Sequence, residues 1–442
     1  MAATLNFFYQ FFDINLNFVN SKMKKINQLN VFAAFASRNY SLYFFGRAVS
    51  QFGTWMQRTA VIWVVYTITH SAFLIGVTIF AEQFPSFLFS IPGGVAADRY
   101  NRYTVIKICQ VTSMIQAVLL AALVITGHTV VWAILLLSVI LGIINAFDVP
   151  ARQSLLNDVV ANPDHLPNAI SLTTATASLA QLLGPALSGI VLSAFGAGVC
   201  FLLNAASFGG VIISLLLMKL PVYQPKATRR KVIAEFAEGF AYIKNNRNIN
   251  LVVAMTAVVS LLVLPYNTVL PVFAKVVFKG GASTFGYINS FIGIGAVTGT
   301  IFVASRKPGS HLKRILFIST VLMGVGLICF SQIKYFPVAM FFVAVSGLGA
   351  IAQYTVSNIL VQSGSAPEMR GRAIGILLMA IFGMAPLGSL LTGAVSEHIG
   401  APTTVLAQGI IAMVIALVFA RFLMRSVKST SAKEVEADIP EN

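Results

Sequence analysis

GPALSG (residues 184–189) and GSLLTG (residues 388–393) lie 204 residues apart in the chain. The same displacement pairs Pro163 with Pro367, Asp164 with Glu368, Ala169 with Ala373 and Ile170 with Ile374. It continues through Leu187 and Leu391 to Gly196 and Gly400, then Ala197 and Ala401. The matches cross a loop and an apolar helix without a gap. The chain therefore reads as two copies of one half. If the copies are an even number of membrane spans apart, both halves point the same way and are related by an axis along the membrane normal.

Composition fixes the solvent. Of 442 residues, 57% are hydrophobic and 10% charged, and mean hydropathy is +0.83. A soluble domain carries roughly 25% charged residues, so a water-soluble globule is excluded. A spanning helix needs about 20 apolar residues to cross about 30 Å of hydrocarbon. With that window the spans fall near 43–67, 74–93, 104–126, 130–147, 169–194, 199–218, 249–272, 284–304, 314–331, 336–358, 373–396 and 402–424. Copies in spans 5 and 11 are six spans apart, which preserves orientation. Pro85, Pro92, Pro185, Pro265 and Pro386 interrupt several spans. Neighbouring helices tolerate such breaks by re-satisfying the backbone. Gly295 and Gly299 make a close-packing pair.

The net charge of +16 is distributed by topology. With a cytoplasmic N-terminus, 25 of the 30 Lys and Arg fall on cytoplasmic segments and three on external loops, while Arg47 and Arg58 lie in the first span. This is the positive-inside pattern. It predicts an all-α membrane protein of twelve transmembrane helices in two six-helix bundles, N-in and C-in, and removes a nucleic-acid partner. The expected divisions are a cytoplasmic segment 1–39, a bundle 40–218, a central loop 219–248, a second bundle 249–424 and a tail 425–442. The stretch 233–248 has apolar residues three and four apart and reads as an amphipathic helix. Cys109, Cys200 and Cys329 read as small buried hydrophobes rather than a disulfide framework or metal site. Residues 1–22 read as a dispensable leader before a more natural start at Met23.

Two motifs carry more. The loop between spans 2 and 3 is GGVAADRYNR (93–102). Gly94 there would allow close helix approach, and Asp98 would accept hydrogen bonds at a helix N-terminus. Arg99 and Arg102 would pair with acids or lipid phosphates. In span 5, Gly184, Pro185 and Gly189 suit a bent, closely packed helix. Further phrases are GTWMQR (53–58), NAFDVPARQSLLNDVV (145–160), FLLNAASF (201–208), EGFAYIKNN (238–246) and APEMRGRAIG (366–375).

Together these residues resemble the major facilitator superfamily, and within it the third drug:proton antiporter subgroup of macrolide-efflux and enterobactin-exporter type. The resemblance covers about residues 35–424. It implies the major facilitator fold, a loop latch that holds the outward-open state, and an antiporter signature in span 5. Asn101 stands where the loop signature usually has Gly, and Asn tolerates a left-handed turn. Tyr103 replaces a second basic residue, and Ser188 replaces a Gly of the span 5 motif. A topological anchor and a kinked packing helix remain the alternative readings of the two motifs.

Charges inside a membrane are costly and point to function. Arg58 and Glu82 each lie twelve residues from the turn centre at His70. An antiparallel hairpin puts them at equal depth, about 14 Å in. They should face a cavity and interact directly or through water. Glu82 would be the proton-coupling site with Arg58 as its partner, or the two form a static pair. Asp148 and Arg152, four apart, would pair along one helix or join the Asp98 latch. Gln57, Gln181, Asn267 and Gln353 are substrate-cavity candidates. Glu397 and His398 read as solvated.

The functional expectation is a secondary transporter of the bacterial inner membrane. It would export hydrophobic or amphipathic small molecules by proton antiport and alternating access. The alternatives are a siderophore exporter and an uncoupled facilitator. The expected partners are the small-molecule substrate and membrane lipid, with the protein working as a monomer. No cofactor is expected beyond the proton gradient as energy source. There is no HExxH, GxSxG or GxxxxGK[ST] sequence, which argues against a membrane enzyme and an ATP-driven pump.

Overall fold

The computed structural model describes residues 32–219, 232–306 and 311–437. The proposed leader lies outside the described residues, as do part of the central loop and the end of the tail. Fourteen α-helices longer than one turn account for most of the described chain. The first half holds α1 (Arg38–Thr69), α2 (Ala72–Leu88), α3 (Ser90–Arg99), α4 (Arg102–Ile125), α5 (Val131–Val159), α6 (Leu166–Phe195) and α7 (Ala197–Leu217). A connecting helix α8 (Val232–Asn245) follows. The second half holds α9 (Arg247–Leu262), α10 (Ala282–Ala304), α11 (Leu312–Gln332), α12 (Phe336–Gly364), α13 (Arg370–Ile399) and α14 (Ala401–Ala437).

Helix ends follow local chemistry. Ser37, Ser71 and Asn246 side chains accept from backbone N–H groups of the first turns of α1, α2 and α9, the usual N-cap arrangement. Gly196 and Gly400 end α6 and α13 at φ +81° and +82°, a conformation that suits glycine. Helices α6 and α13 are 30 residues each, and both their starts and their ends are displaced by the 204 residues of the sequence repeat.

Proline acts unevenly. Pro185 and Pro386 sit inside α6 and α13 without ending them. Near Pro85 and Pro92 the expected second span is two helices, α2 and α3, bent by 48°. The expected seventh span passes from α9 into a 3₁₀ segment, Leu264–Val269, then one α turn and a π turn ending at Val277. Pro265 and Pro271 lie in this segment, where the missing N–H removes ladder bonds.

Among the described residues, ten helical stretches are long and apolar enough to cross a membrane, and the bent pair makes up to eleven. Twelve were expected. Helix α1 has the length, 32 residues, but Arg47, Gln51, Gln57 and Arg58 lower its apolarity. Phe45, Ile108, Trp132, Ile213, Ile301 and Phe341 are exposed on helix faces, as suits a lipid-facing surface.

Glycines set how the helices pack, and the repeat extends to these contacts. Gly184 abuts Trp55 of α1, where an added Cβ would lie 2.5 Å from the Trp55 Cβ. Its equivalent, Gly388, abuts Leu261 and Pro265 at the end of α9. Gly189 meets Gly286 of α10, and Gly393 meets Ala72 and Phe73 of α2. Gly76 of α2 lies against the Ser389 carbonyl, and Gly286 lies against that of Pro185. Each copy of the repeated helix thus uses one glycine against its own half and one against the other. Gly295 and Gly299 pack α10 onto α12.

Two helix pairs make the most extensive contacts between the halves: α2 with α13, and α6 with α10. Trp63 stacks on Phe285 across the same boundary, with centroids 5.8 Å apart. The glycine contacts named above lie towards Thr69, Phe195 and Ile399, and α2 and α13 stay in contact as far as Phe87 and Gly383. The connecting helix α8 docks on the second half. Glu238 is 3.0 Å from Arg372, and the Ala366 N–H donates to the Tyr242 hydroxyl at 3.0 Å.

Candidate transport site

Helices α1 and α2 run antiparallel from the turn at His70, which takes a left-handed conformation at φ 54°. This hairpin brings the two intramembrane charges together. Arg58 Nε donates to Glu82 Oε1 at 2.6 Å. Glu82 is 14% exposed and Arg58 32%, so the pair is largely but not fully enclosed by the protein. The guanidinium also lies 5.3 Å from the centre of the Trp55 ring, within cation–π range. The Glu82 backbone is held where Gly142 of α5 approaches its carbonyl. In the second half Gly347 approaches the Ile292 carbonyl in the same way. The carboxylate is thus matched in the repeat by an isoleucine, and the charged site belongs to one half.

A second charged group lies deeper in α5. Asp148 Oδ2 is 2.6 Å from Arg152 Nε, an i,i+4 pair that is nearly buried. Asp148 Oδ1 accepts from Gln110 of α4 at 3.0 Å. Tyr43 and Arg47 of α1 are within electrostatic reach of both charges. Of the two arrangements open to Asp148, the structure has the pair along one helix.

The loop signature is built differently from the expectation in two respects. Gly94 has open space where its Cβ would be. The close approach is made by Gly93, which abuts the Ala146 carbonyl of α5 and has no room for a side chain. Asn101 is not left-handed: at φ −62° and ψ 109° it is the N-cap of α4, and its side chain accepts from Tyr103 N. An extended cap does the work of the turn, which explains why glycine is dispensable there. Asp98 and Arg99 are exposed. Arg102 reaches Asp158 near the end of α5, with Nη1 and Oδ2 3.1 Å apart. Asp158 carried no signal in the sequence beyond being an acid near the same membrane face.

Two cavity candidates are corrected. Gln57 is 2% exposed. Its Nε2 donates to Gln116 at 2.9 Å and its Oε1 accepts from Asn204 at 2.8 Å. It therefore ties α1, α4 and α7 together inside the first half. Gln353 is 1% exposed and donates towards Thr256 and Ser357 at 3.4 Å, inside the second half. Buried polar groups must find partners, and these two found them within their own bundles. Gln181 and Asn267 are exposed.

Glu397 is exposed, in line with the solvated expectation, and it also makes contacts across the two halves. Its Oε2 accepts from the Ser71 hydroxyl and the Phe73 N–H, each at 3.1 Å, so it caps α2 from the other half. Arg47 was counted only as a span charge in the sequence. Its Nε is buried without a hydrogen-bond partner among the described residues.

Comparisons agree with this architecture. The staphyloferrin A transporter of Staphylococcus aureus is 26% identical over 87% of this chain and 96% of its own length. The multidrug efflux pump Tap of Mycobacterium tuberculosis is 25% identical over 83% of this chain and 89% of its own. The enterobactin exporter EntS of Salmonella typhi is 25% identical over 71% and 74%. Among solved structures, the nucleoside transporter NupG superposes with a TM-score of 0.68 at 18% identity, covering 87% of this chain and 98% of that one. A bacterial homologue of the human lysosomal transporter Spinster, inward-facing and unoccupied, gives 0.67 at 17% identity over 88% and 98%. A family profile described as transmembrane secretion effector matches residues 29–441. The chain belongs to that family of the major facilitator superfamily, a multi-pass efflux transporter of the bacterial inner membrane and not an enzyme.

Proposed function

We propose that the protein exports hydrophobic or amphipathic small molecules in exchange for protons, by alternating access between two six-helix halves. In this reading α1 is the first of twelve spans and both termini are cytoplasmic. The end sealed by Ser71, Phe73 and Glu397 faces outward, and the cavity opens to the cytoplasm. The observation that carries the proposal is the 2.6 Å Arg58–Glu82 pair. An acid and a base at similar depth, in one half only, form a pair that a proton can break. Protonation of Glu82 frees Arg58, and deprotonation re-forms the pair. Each state favours a different packing of α1 on α2. The loop at 94–102, with Asp158, acts as the latch of the alternate state. The protein works as a monomer and needs no cofactor beyond the proton gradient.

The efflux pump among the relatives supports drug-like cargo. A second reading, siderophore export, is favoured by the Staphylococcus relative, a staphyloferrin A transporter, and the Salmonella relative, an enterobactin exporter. The test is a toxicity panel in an efflux-deficient bacterial host, with everted vesicles to measure proton-driven transport. Wild type should protect against at least one amphipathic compound. Glu82→Gln should remove gradient-driven transport at equal protein level, and Asp98→Asn should slow it. Unchanged pH-dependent transport in Glu82→Gln would eliminate the coupling role.

A further inference from the structure

Near the cytoplasmic end proposed above, α1 and α6 enclose a small cleft. Tyr43, Arg47 and Gln51 line it from α1, and Thr173 and Thr176 from α6. The empty space between these side chains, open solvent included, is about 180 Å³. The charge balance is uneven. Arg152 is committed to Asp148 at 2.6 Å, and Gln110 takes the other oxygen of that carboxylate. Arg47 is left as the excess cation of the group. Its Nε, like that of Arg152, is buried and has no hydrogen-bond partner among the described residues. Such a charge in an apolar bundle is costly until an anion meets it.

The surroundings of Arg47 suit an anionic oxygen group. The Thr173 and Thr176 hydroxyls donate back to their own helix, at 2.8 and 2.9 Å, which leaves the guanidinium as the principal donor in the cleft. Arg47, Gln51, Thr54 and Arg58 follow at spacings of four, three and four, so they share one stripe of α1. Ile62, four further on, packs against the core of the second half. The stripe therefore leads from the cleft towards the boundary between the halves. Arg47 and Arg58 are about 16 Å apart along the helix.

We propose that this cleft binds a carboxylate of the exported molecule through Arg47, so that the cargo class is amphipathic and anionic. This rests on the export reading above. The Arg47 contact forms on the cytoplasmic side, before the cargo reaches the level of Glu82.

Equilibrium binding tests it without a proton gradient. The probes are dansylglycine, a fluorescent amphipathic carboxylate, and dansylglycinamide, its neutral counterpart. They are titrated onto the full chain in phosphatidylcholine nanodiscs. Wild type should prefer the carboxylate by about tenfold or more, the scale of a hydrogen bond to a charged group. Arg47→Gln should abolish that preference and leave amide binding unchanged. Arg47→Lys should retain part of it. Thr300→Val, on an exposed face of α10 away from the cleft, keeps every charge, should leave the preference in place and so controls for folding. An equal preference in wild type and Arg47→Gln overturns the proposal. So does a wild type that binds both probes alike. Loss of the preference in phosphatidylglycerol nanodiscs would assign the cleft to lipid headgroups, which also overturns it. Failure of the export reading is separate: it would show as gradient-independent transport in vesicles, with the binding preference intact.

Discussion

Glu397 of α13 accepts a hydrogen bond from the backbone N–H of Phe73, at 3.1 Å, across the boundary between the two halves. The Ser71 hydroxyl donates to the same oxygen. A carboxylate at a helix N-terminus gains from the dipole and from otherwise orphan donors, by about 0.3–1 kcal/mol when exposed. Here that gain exists only while the halves touch at this end. Glu397→Ala should therefore shift the balance towards opening at this end, about two- to fivefold in population. Spin labels at the exposed positions Ile68 and Ile399 would report it as a larger long-distance fraction. A distance distribution unchanged in Glu397→Ala would refute the gate.

The two adjacent glycines of the loop signature should separate. Gly93 is pressed against the Ala146 carbonyl, whereas Gly94 faces open space. Gly93→Ala should cost about 1–3 kcal/mol, the usual range for overpacking. It should appear as a lowered melting temperature of the purified protein. Gly94→Ala should leave the melting temperature within a degree or two. Equal losses in the two variants would mean that α3 packs on α5 differently.

Much of this was legible in the sequence because it followed from repetition and hydropathy. The 204-residue displacement located two helices whose ends match residue for residue. The equal distances of Arg58 and Glu82 from His70 located their pairing. What was illegible depended on which neighbour a polar residue meets. Gln57 and Gln353 look like cavity residues when read along one helix. Only the packing of three or four helices shows that their amides are used internally. Asp158 and Glu397 serve partners 56 and 324 residues away, beyond the reach of any local pattern. Gly93 and Gly94 are neighbours about 100° apart on a helix, and periodicity does not say which of them faces α5.

Arg58 and Glu82 should be energetically coupled, though less than a fully buried pair. Exposed pairs contribute about 0–1 kcal/mol, while contacting residues couple by about 0.5–3 kcal/mol. With one partner about a third exposed, a coupling of roughly 1–2 kcal/mol is expected from a cycle of Arg58→Ala, Glu82→Ala and the double variant. Thermal unfolding in detergent measures it. Zero coupling would mean that the two groups act independently, and the proton exchange between them would lose its basis.

The repeat also makes a prediction about the buried Asp148–Arg152 pair. Gly142 and Gly347 occupy equivalent places against the carbonyls of Glu82 and Ile292. Six residues beyond them stand Asp148 and Gln353, and ten beyond stand Arg152 and Ser357. One half thus satisfies this position with an ion pair, and the other with a neutral amide and hydroxyl beside Thr256. Thr256 has its counterpart in Ser50, whose buried hydroxyl has no partner among the described residues. Removing one member of a buried pair strands the other, at a cost of about 3–5 kcal/mol. Replacing both members leaves no stranded charge. Asp148→Gln should therefore destabilise strongly, and Asp148→Gln with Arg152→Ser should recover most of the loss by adopting the second half's arrangement. The Ser50 hydroxyl would gain a neighbour in the process. Transport gives the complementary readout. If the pair serves only to hold α5 in place, the double variant transports normally. A double variant no more stable than Asp148→Gln would refute the equivalence.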